Sequence, residues 1–205
     1  MLYLEFYRSM LPLGVINHNQ VYSWYPGFDK NNFGRWVKKG WLIKLKNGFY
    51  TFPELLSQPN SQFFIANRIY RPSYVSLQSA LAFHGLIPEA VFQITSVSSR
   101  KTVSFENTAG TFSYLRIKPE LMFGFNRLPF SNDKSILIAS PEKALLDLLY
   151  LYPFYNNEEE IEQIRLDETI LHDSIDSSIL HEYLQRFQNK ALGKRIQKLL
   201  NVYQL

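Results

Sequence analysis

The sequence predicts an α+β protein: a small N-terminal helical unit closed by a hairpin, then a mixed α/β unit with an antiparallel or mixed sheet and a helical C-terminus. Three observations carry that expectation. A short basic helix and a basic hairpin adjoin between Asp29 and Phe52, β-branched and aromatic runs recur from Val91 to Ile138, and helical signals dominate from Ser140 onward.

Asp29 is a good N-cap and Gly40 a good C′ residue, so both ends of the helix between them are written in the sequence. At about 100° per residue, Phe33, Trp36 and Val37 share one face. Asn31, Arg35 and Lys38 lie opposite, flanked by Asn32 and Lys39 and preceded by Lys30, while Gly34 lowers the helix propensity. Asn47-Gly48 between alternating apolar residues predicts a two-residue hairpin with a type I′ turn, which needs positive φ at both central positions. Lys46 then pairs with Phe49 and Leu45 with Tyr50, placing Ile43, Leu45, Tyr50 and Phe52 inward and Lys44 and Lys46 outward.

An outward charge run alone marks only a solvated face. Here the residue types go further, because Arg and Lys donate to guanine edges and phosphates and Asn pairs with adenine. Lys30, Asn31, Asn32, Arg35, Lys38, Lys39, Lys44 and Lys46 are therefore the candidate DNA contacts.

Upstream, the apolar residues of 2–13 suit an amphipathic helix ending near Pro12-Leu13-Gly14. Asn17 or Asn19 caps a short second helix through Val21, Tyr22, Trp24 and Tyr25, which Pro26-Gly27 breaks. Helix, helix, turn, basic helix, hairpin is the order of a winged helix-turn-helix, assigned to residues 1–57. Pro53 to Pro59 reads as a linker, and residues 58–205 form the second domain.

In that second part a helix through Phe63, Phe64, Ala66, Asn67 and Tyr70 ends at Arg71-Pro72. Ser76 caps a helix in which Leu77, Ala80, Leu81 and His84 share a stripe, so His84 reads as a core histidine with one hydrogen-bond partner. Strands are expected at Val91–Val97, Thr102–Phe105, Thr111–Ile117 and Ser135–Ile138, with Arg100-Lys101 at a turn between two of them that reads as a plain exposed turn, a second phosphate contact being the alternative. Ser140-Pro141-Glu142 starts a helix, with Asp147 on its polar side in reach of Lys143, and capping and surface pairing account for both acids. Residues 158–176 carry eight acidic groups against Arg165, and the last helices, 177–203, are basic, so the two stretches are expected to pair internally, a second nucleic-acid contact being the alternative.

The chain has 205 residues, 46% hydrophobic and 20% charged, as in globular proteins with a sizeable core. No run approaches the roughly 18 apolar residues of a membrane span and no signal peptide opens the chain, which points to the cytoplasm and away from membranes. With no cysteine there is no disulfide and no thiolate zinc site. The net charge of +4 is uneven: residues 1–54 hold seven Lys/Arg against three Asp/Glu, and residues 55–205 hold fifteen of each.

There is no glycine-rich phosphate loop, no HExxH, and no histidine pair at metal-ligand spacing among His18, His84, His172 and His181, so neither metal nor cofactor is expected. The nearest nuclease-like set is Glu142, Lys143 and Asp147, but the first two diverge by about 100° on a helix. A non-enzyme is expected.

The chain also resembles the AbiEi family of antitoxins from type IV toxin–antitoxin systems. The resemblance rests on KKGWLIKLKNGFYTFPE (38–54), YVSLQSALAFHGLIPEAVFQITSV (74–97), GTFSYLRIKPELMFGF (110–125) and IASPEKALLDLLYL (138–151). It implies a winged-helix transcriptional regulator and repressor that binds inverted repeats of double-stranded DNA in its own promoter, two copies together giving a dimer on DNA. It further implies a C-terminal antitoxin domain that counters a nucleotidyltransferase-like toxin without a stable complex. Gly34 and the paired asparagines 31 and 32 depart from the family's expected recognition helix. The competing readings are a winged-helix regulator with an effector-binding C-terminal domain and no toxin partner, and a nuclease built near Glu142.

Overall fold

Aromatic residues spaced along one face of each helix assemble the first unit. The computed structural model describes residues 1–88, 92–131 and 133–205. Its chain begins with α1 (Tyr3–Met10), β1 (Val15–Asn17), α2 (His18–Trp24), α3 (Asn31–Lys38), β2 (Ile43–Lys46) and β3 (Phe49–Thr51). The three strands form an antiparallel sheet in the order β1-β3-β2. Phe6, Phe28, Phe33 and Trp36 interlock beneath it, with Phe6 and Trp36 at 4.6 Å and Phe33 stacked on Tyr50 at 4.5 Å between ring centroids.

The sheet has two different faces because neighbouring residues of a strand point oppositely. Ile16, Leu42, Tyr50 and Phe52 pack with the aromatic cluster of α1 to α3. Val15, Ile43, Leu45 and Phe49 pack instead into the core of the second unit. The expected hairpin is thus present with a changed register: Lys44, not Leu45, opposes Tyr50, and a bulge follows before Lys46 pairs with Phe49. The bulge flips the strand between two hydrophobic bodies, which a hairpin with one buried face would not need. The turn also departs from type I′, since φ is positive at Gly48 (81°) and not at Asn47. Gly48 is required for a second reason: a Cβ there would lie 3.0 Å from Nε2 of His18.

The expected linker is not one. Pro53 begins a one-turn helix, α4 (Pro53–Leu56), and Leu55 is buried in the second unit's core. Then follow α5 (Ser61–Ile69), β4 (Ser73–Val75), α6 (Leu77–Phe83), β5 (Gln93–Ser98), β6 (Val103–Asn107), β7 (Gly110–Arg116), β8 (Phe125–Pro129) and β9 (Ser135–Ala139). They form a six-stranded mixed sheet ordered β6-β7-β5-β4-β9-β8, parallel at β5–β7 and β4–β9 and antiparallel elsewhere. All four expected strands are in it, although Val91 lies outside the described residues. Three strands have no counterpart among the expectations: β1, in the small sheet, and β4 are only three residues long, and β8 carries Arg127; β4 is buried throughout and so lacks alternation.

The chain closes with α7 (Pro141–Leu151), α8 (Glu158–Glu162), α9 (Glu168–Ser174), α10 (Ser177–Phe187) and α11 (Lys190–Val202). Ser140 caps α7 as expected, accepting from the Lys143 amide at 3.3 Å. Ser76 does not cap α6 with its hydroxyl, which donates to Asp147. Thr95 of β5 takes that place, accepting from the Ser79 amide at 3.0 Å.

Among the described residues no salt bridge joins an acidic group of 158–176 to a basic group of 177–203, contrary to expectation. The acids cap helices instead, Glu160 at the Asn157 amide, Asp167 at Ile170 and Asp176 at Ser178 and Ile179.

Candidate nucleic-acid interface

The geometry of α3 begins with its two ends. Asp29 lies two residues before it and accepts from the Asn31 amide at 3.0 Å, while its own carbonyl accepts from Asn32 at 3.0 Å. At the other end Gly40 takes φ 71°, its amide donating to Val37 and that of Trp41 to Trp36, which is the Schellman closure. The expected stop is present, while the N-cap position is Lys30 and Asp29 caps from one residue further upstream.

Phe33 and Trp36 are buried, so the opposite face of α3 is free of the core. Asn31, Gly34, Arg35 and Lys38 are exposed or half-buried and fall at i, i+3, i+4 and i+7, making one continuous line along the helix. Nothing lies within 4 Å of where a Cβ on Gly34 would stand, so the line has a gap at its centre through which another molecule can approach the backbone. Asn32 is half-buried beside this line.

The cations around α3 are steered by neighbours. Arg35 pairs with Asp29, both side chains well exposed. Lys39 rests 4.5 Å from the centre of the Trp41 ring and Lys30 5.3 Å from that of Tyr22. Such exposed contacts are worth about 0–1 kcal/mol each, so a stronger acceptor displaces them easily.

The two hairpin lysines separate. Lys44 is exposed and shares with Tyr50 the sheet face that carries α3. Lys46, which the sequence places outward beside it, turns to the second unit. Its ammonium lies 4.7 Å from the Phe105 ring centre and 5.3 Å from that of Tyr70. Burial, and then the nearby Arg100 charge, lower its pKa. The bulge before Lys46 is the physical reason for the split. Of the eight candidate residues, seven therefore surround α3 and its side of the hairpin, and Lys46 does not.

Two further charged features owe their placement to tertiary packing alone. Lys143 and Asp147 of α7 are fully buried, not on a surface, because α7 is covered by the sheet, α6, α10 and α11. Lys143 donates to Asp147 and, at 2.9 Å, to the Tyr74 hydroxyl, and Asp147 accepts from Tyr74 and Ser76 at 2.8 Å each. Burial lowers the Lys143 pKa despite the Asp147 charge that opposes the shift. Glu142 is turned away to the Ser140 hydroxyl and the Asp176 amide, at 2.7 and 3.1 Å. The nuclease-like trio thus divides into two separate networks. The other feature is the row Arg68, Arg71 and Arg100 facing Lys46: the sequence marks Lys46 on the hairpin and Arg100 in a turn separately, and only the fold brings them together with Arg68 and Arg71. His84 has its one expected hydrogen-bond partner, Nε2 lying 2.8 Å from the Ala139 carbonyl oxygen, but it is half-buried and not in the core.

Among the described residues no group of three or more His, Cys, Asp or Glu could hold a metal ion, and no helix is long and apolar enough to cross a membrane. No family model matches the chain, and no curated protein matches it significantly.

Proposed function

We propose that the protein is a winged-helix DNA-binding repressor that reads the major groove with α3, and that it serves as the antitoxin of a type IV toxin–antitoxin pair. The observation that carries the DNA reading is the unobstructed line Asn31, Gly34, Arg35 and Lys38, rimmed by Lys30, Lys39 and Lys44 and offset from the aromatic core. The element order and the three-stranded antiparallel sheet support a winged helix, in which β2 and β3 are the wing and Lys44 its phosphate contact.

The antitoxin role rests on the sequence resemblance, as do the promoter inverted repeats, the nucleotidyltransferase-like toxin and action without a stable complex. In this reading the protein is not an enzyme and works in the cytoplasm. The buried Lys143–Asp147 network is then a structural centre of the second unit, since no described cavity is lined by either residue.

The test is titration of duplex DNA from the promoter region at several salt concentrations. Operator affinity should fall steeply with salt, and Lys44→Ala should reduce the slope of log K against log salt by about one. Binding that is insensitive to salt and to Lys44→Ala and Arg35→Ala would refute the assignment of α3 and the wing. Co-expression with the neighbouring toxin gene tests the antitoxin role separately, with continued growth arrest counting against it.

A further inference from the structure

The face of the three-stranded sheet turned away from α3 does not close fully on the second unit. A cleft of about 410 Å³ remains between them, lined on one side by Lys46, Asn19 and Gln20 and on the other by Arg68, Arg71 and Arg100. No carboxylate lines it, and none of the four cations has a salt-bridge partner among the described residues. Four like charges around one hollow repel each other, and an anion between them removes that cost.

Each cation has a neighbour that orients it at the cleft. Arg68 stacks over Phe64 at 4.8 Å and Arg100 over Tyr70 at 4.9 Å, and Lys46 is braced by the Phe105 ring. Arg71 donates to the Asn67 carbonyl at 3.3 Å, and Arg100 donates to the Arg71 carbonyl at 3.4 Å. Arg68 Nε is buried without an acceptor, an orphaned donor of the kind that normally finds a partner. Planar guanidinium forks fixed in this way match the oxygens of a phosphate better than those of a single carboxylate.

We propose that this cleft binds a small phosphate-bearing anion, a diphosphate or phosphate ester of a size that 410 Å³ admits. Phe49, Val15 and Ile69 supply apolar wall for the body of an ester. A duplex backbone is the less fitting occupant. The cleft is concave, its lysine is recessed, and it uses the Phe49 face of the sheet, whereas α3 sits on the Tyr50 face. Because residues of both units line the cleft, a bound anion ties the hairpin to the second unit. The proposal stands independently of the DNA reading.

Calorimetric titration with pyrophosphate tests it, with ionic strength held constant by chloride and inorganic phosphate as the weaker probe. Saturable one-to-one binding is expected, weakened about tenfold by Arg71→Ala, whose side chain is exposed. Lys46→Met, which keeps the packing length, should weaken it similarly, and far-UV circular dichroism should be unchanged in both variants. No saturable binding, or equal binding by both folded variants, overturns the proposal. A DNA duplex that displaces pyrophosphate, with both variants weakening the duplex uniformly, overturns it too by making the cleft part of a DNA footprint. A protein that binds no duplex but does bind pyrophosphate would leave this proposal standing while removing the repressor reading.

Discussion

Two ion pairs divide the molecule's electrostatics. Asp29–Arg35 brackets the start of α3 with side chains 47% and 60% exposed, and Lys143–Asp147 spans one turn of α7 with both side chains at 0%. Water screens the first, which leaves it worth about 0–1 kcal/mol. Neither member of the second can be exchanged for solvent, so its ammonium is ringed by Tyr74, Phe123 and Phe187 at 4.9 to 5.4 Å and its carboxylate takes two hydroxyl donors. The contrast teaches that the same residue chemistry near a helix serves opposite ends. An exposed pair leaves both its groups accessible to solvent, and a buried one joins the elements packed around it.

The comparison is broken most directly at α7. Lys143→Ala or Asp147→Ala should each cost about 3–5 kcal/mol, because the partner is left charged, buried and uncompensated. Lys143→Met combined with Asp147→Leu should cost much less than the two single changes added together, since the double variant buries no charge. Urea denaturation of the four proteins gives the answer. Single variants within about 1 kcal/mol of the parent would mean that the network does not hold the second unit together.

The same region sets a pH limit. Burial, then the Asp147 charge and hydrogen bond, raise the Tyr74 pKa well above 10.0, and burial raises that of Tyr114. For an acid whose folded pKa is raised, the stability is fully present below the unfolded value and is lost as pH climbs toward the folded one. Lys143 acts in the opposite sense: its lowered pKa lets the unfolded chain hold more protons just below 10.5, so stability there rises with pH. Above about pH 10 the tyrosines prevail, at roughly 1.4 kcal/mol per pH unit for each. Urea midpoints measured from pH 8 to 11 should fall steeply past 10, and Tyr114→Phe should make that fall shallower.

Much of the fold was legible because it is local. Gly40 and Asp29 bound α3, Ser140-Pro141 opens α7, and the four strand segments follow from β-branched and aromatic runs. The burial of Asp147 was not legible, since i+4 spacing to a lysine looks alike on a surface and in a core. What decides it is that both faces of α7 are covered by elements distant in sequence. The fate of Lys46 was hidden similarly: alternation puts it outward, and only the bulge and the presence of Phe105 and Tyr70 across the junction turn it inward. The linker was misread because Leu55 finds its core elsewhere.

On α3 the comparison can be sharpened with DNA as the probe. Under the proposed function, Arg35→Ala should weaken operator binding by about 1–3 kcal/mol and relax preference at one base position, if that guanidinium reads guanine. Lys46→Ala should leave the salt slope unchanged, unlike Lys44→Ala, because Lys46 faces the second unit. Electrophoretic titration on operator and on scrambled duplex separates the two effects. Equal losses on both duplexes for Arg35→Ala would make it a phosphate contact and not a base reader.

The smallest expected change falls on the exposed pair itself. Asp29 has two tasks, capping the Asn31 amide and holding Arg35, and the substitution Asp29→Asn keeps the first because asparagine caps about as well as aspartate. That variant should therefore shift folding stability by less than about 0.5 kcal/mol, whereas loss of a buried partner on α7 costs several times more. Its effect on DNA should have the opposite sign to that of Arg35→Ala. If α3 binds DNA as proposed, removing a carboxylate beside the bound duplex frees the guanidinium and lifts a repulsion, so affinity should rise by a few-fold on every sequence, most at low salt where screening is weakest. Thermal melts and duplex titrations of the one variant measure both quantities. A stability loss above about 1 kcal/mol would show that the pair organises α3 and is not a reservoir for its donor, and an unchanged or weakened DNA affinity would show that Arg35 does not have to leave Asp29 to work.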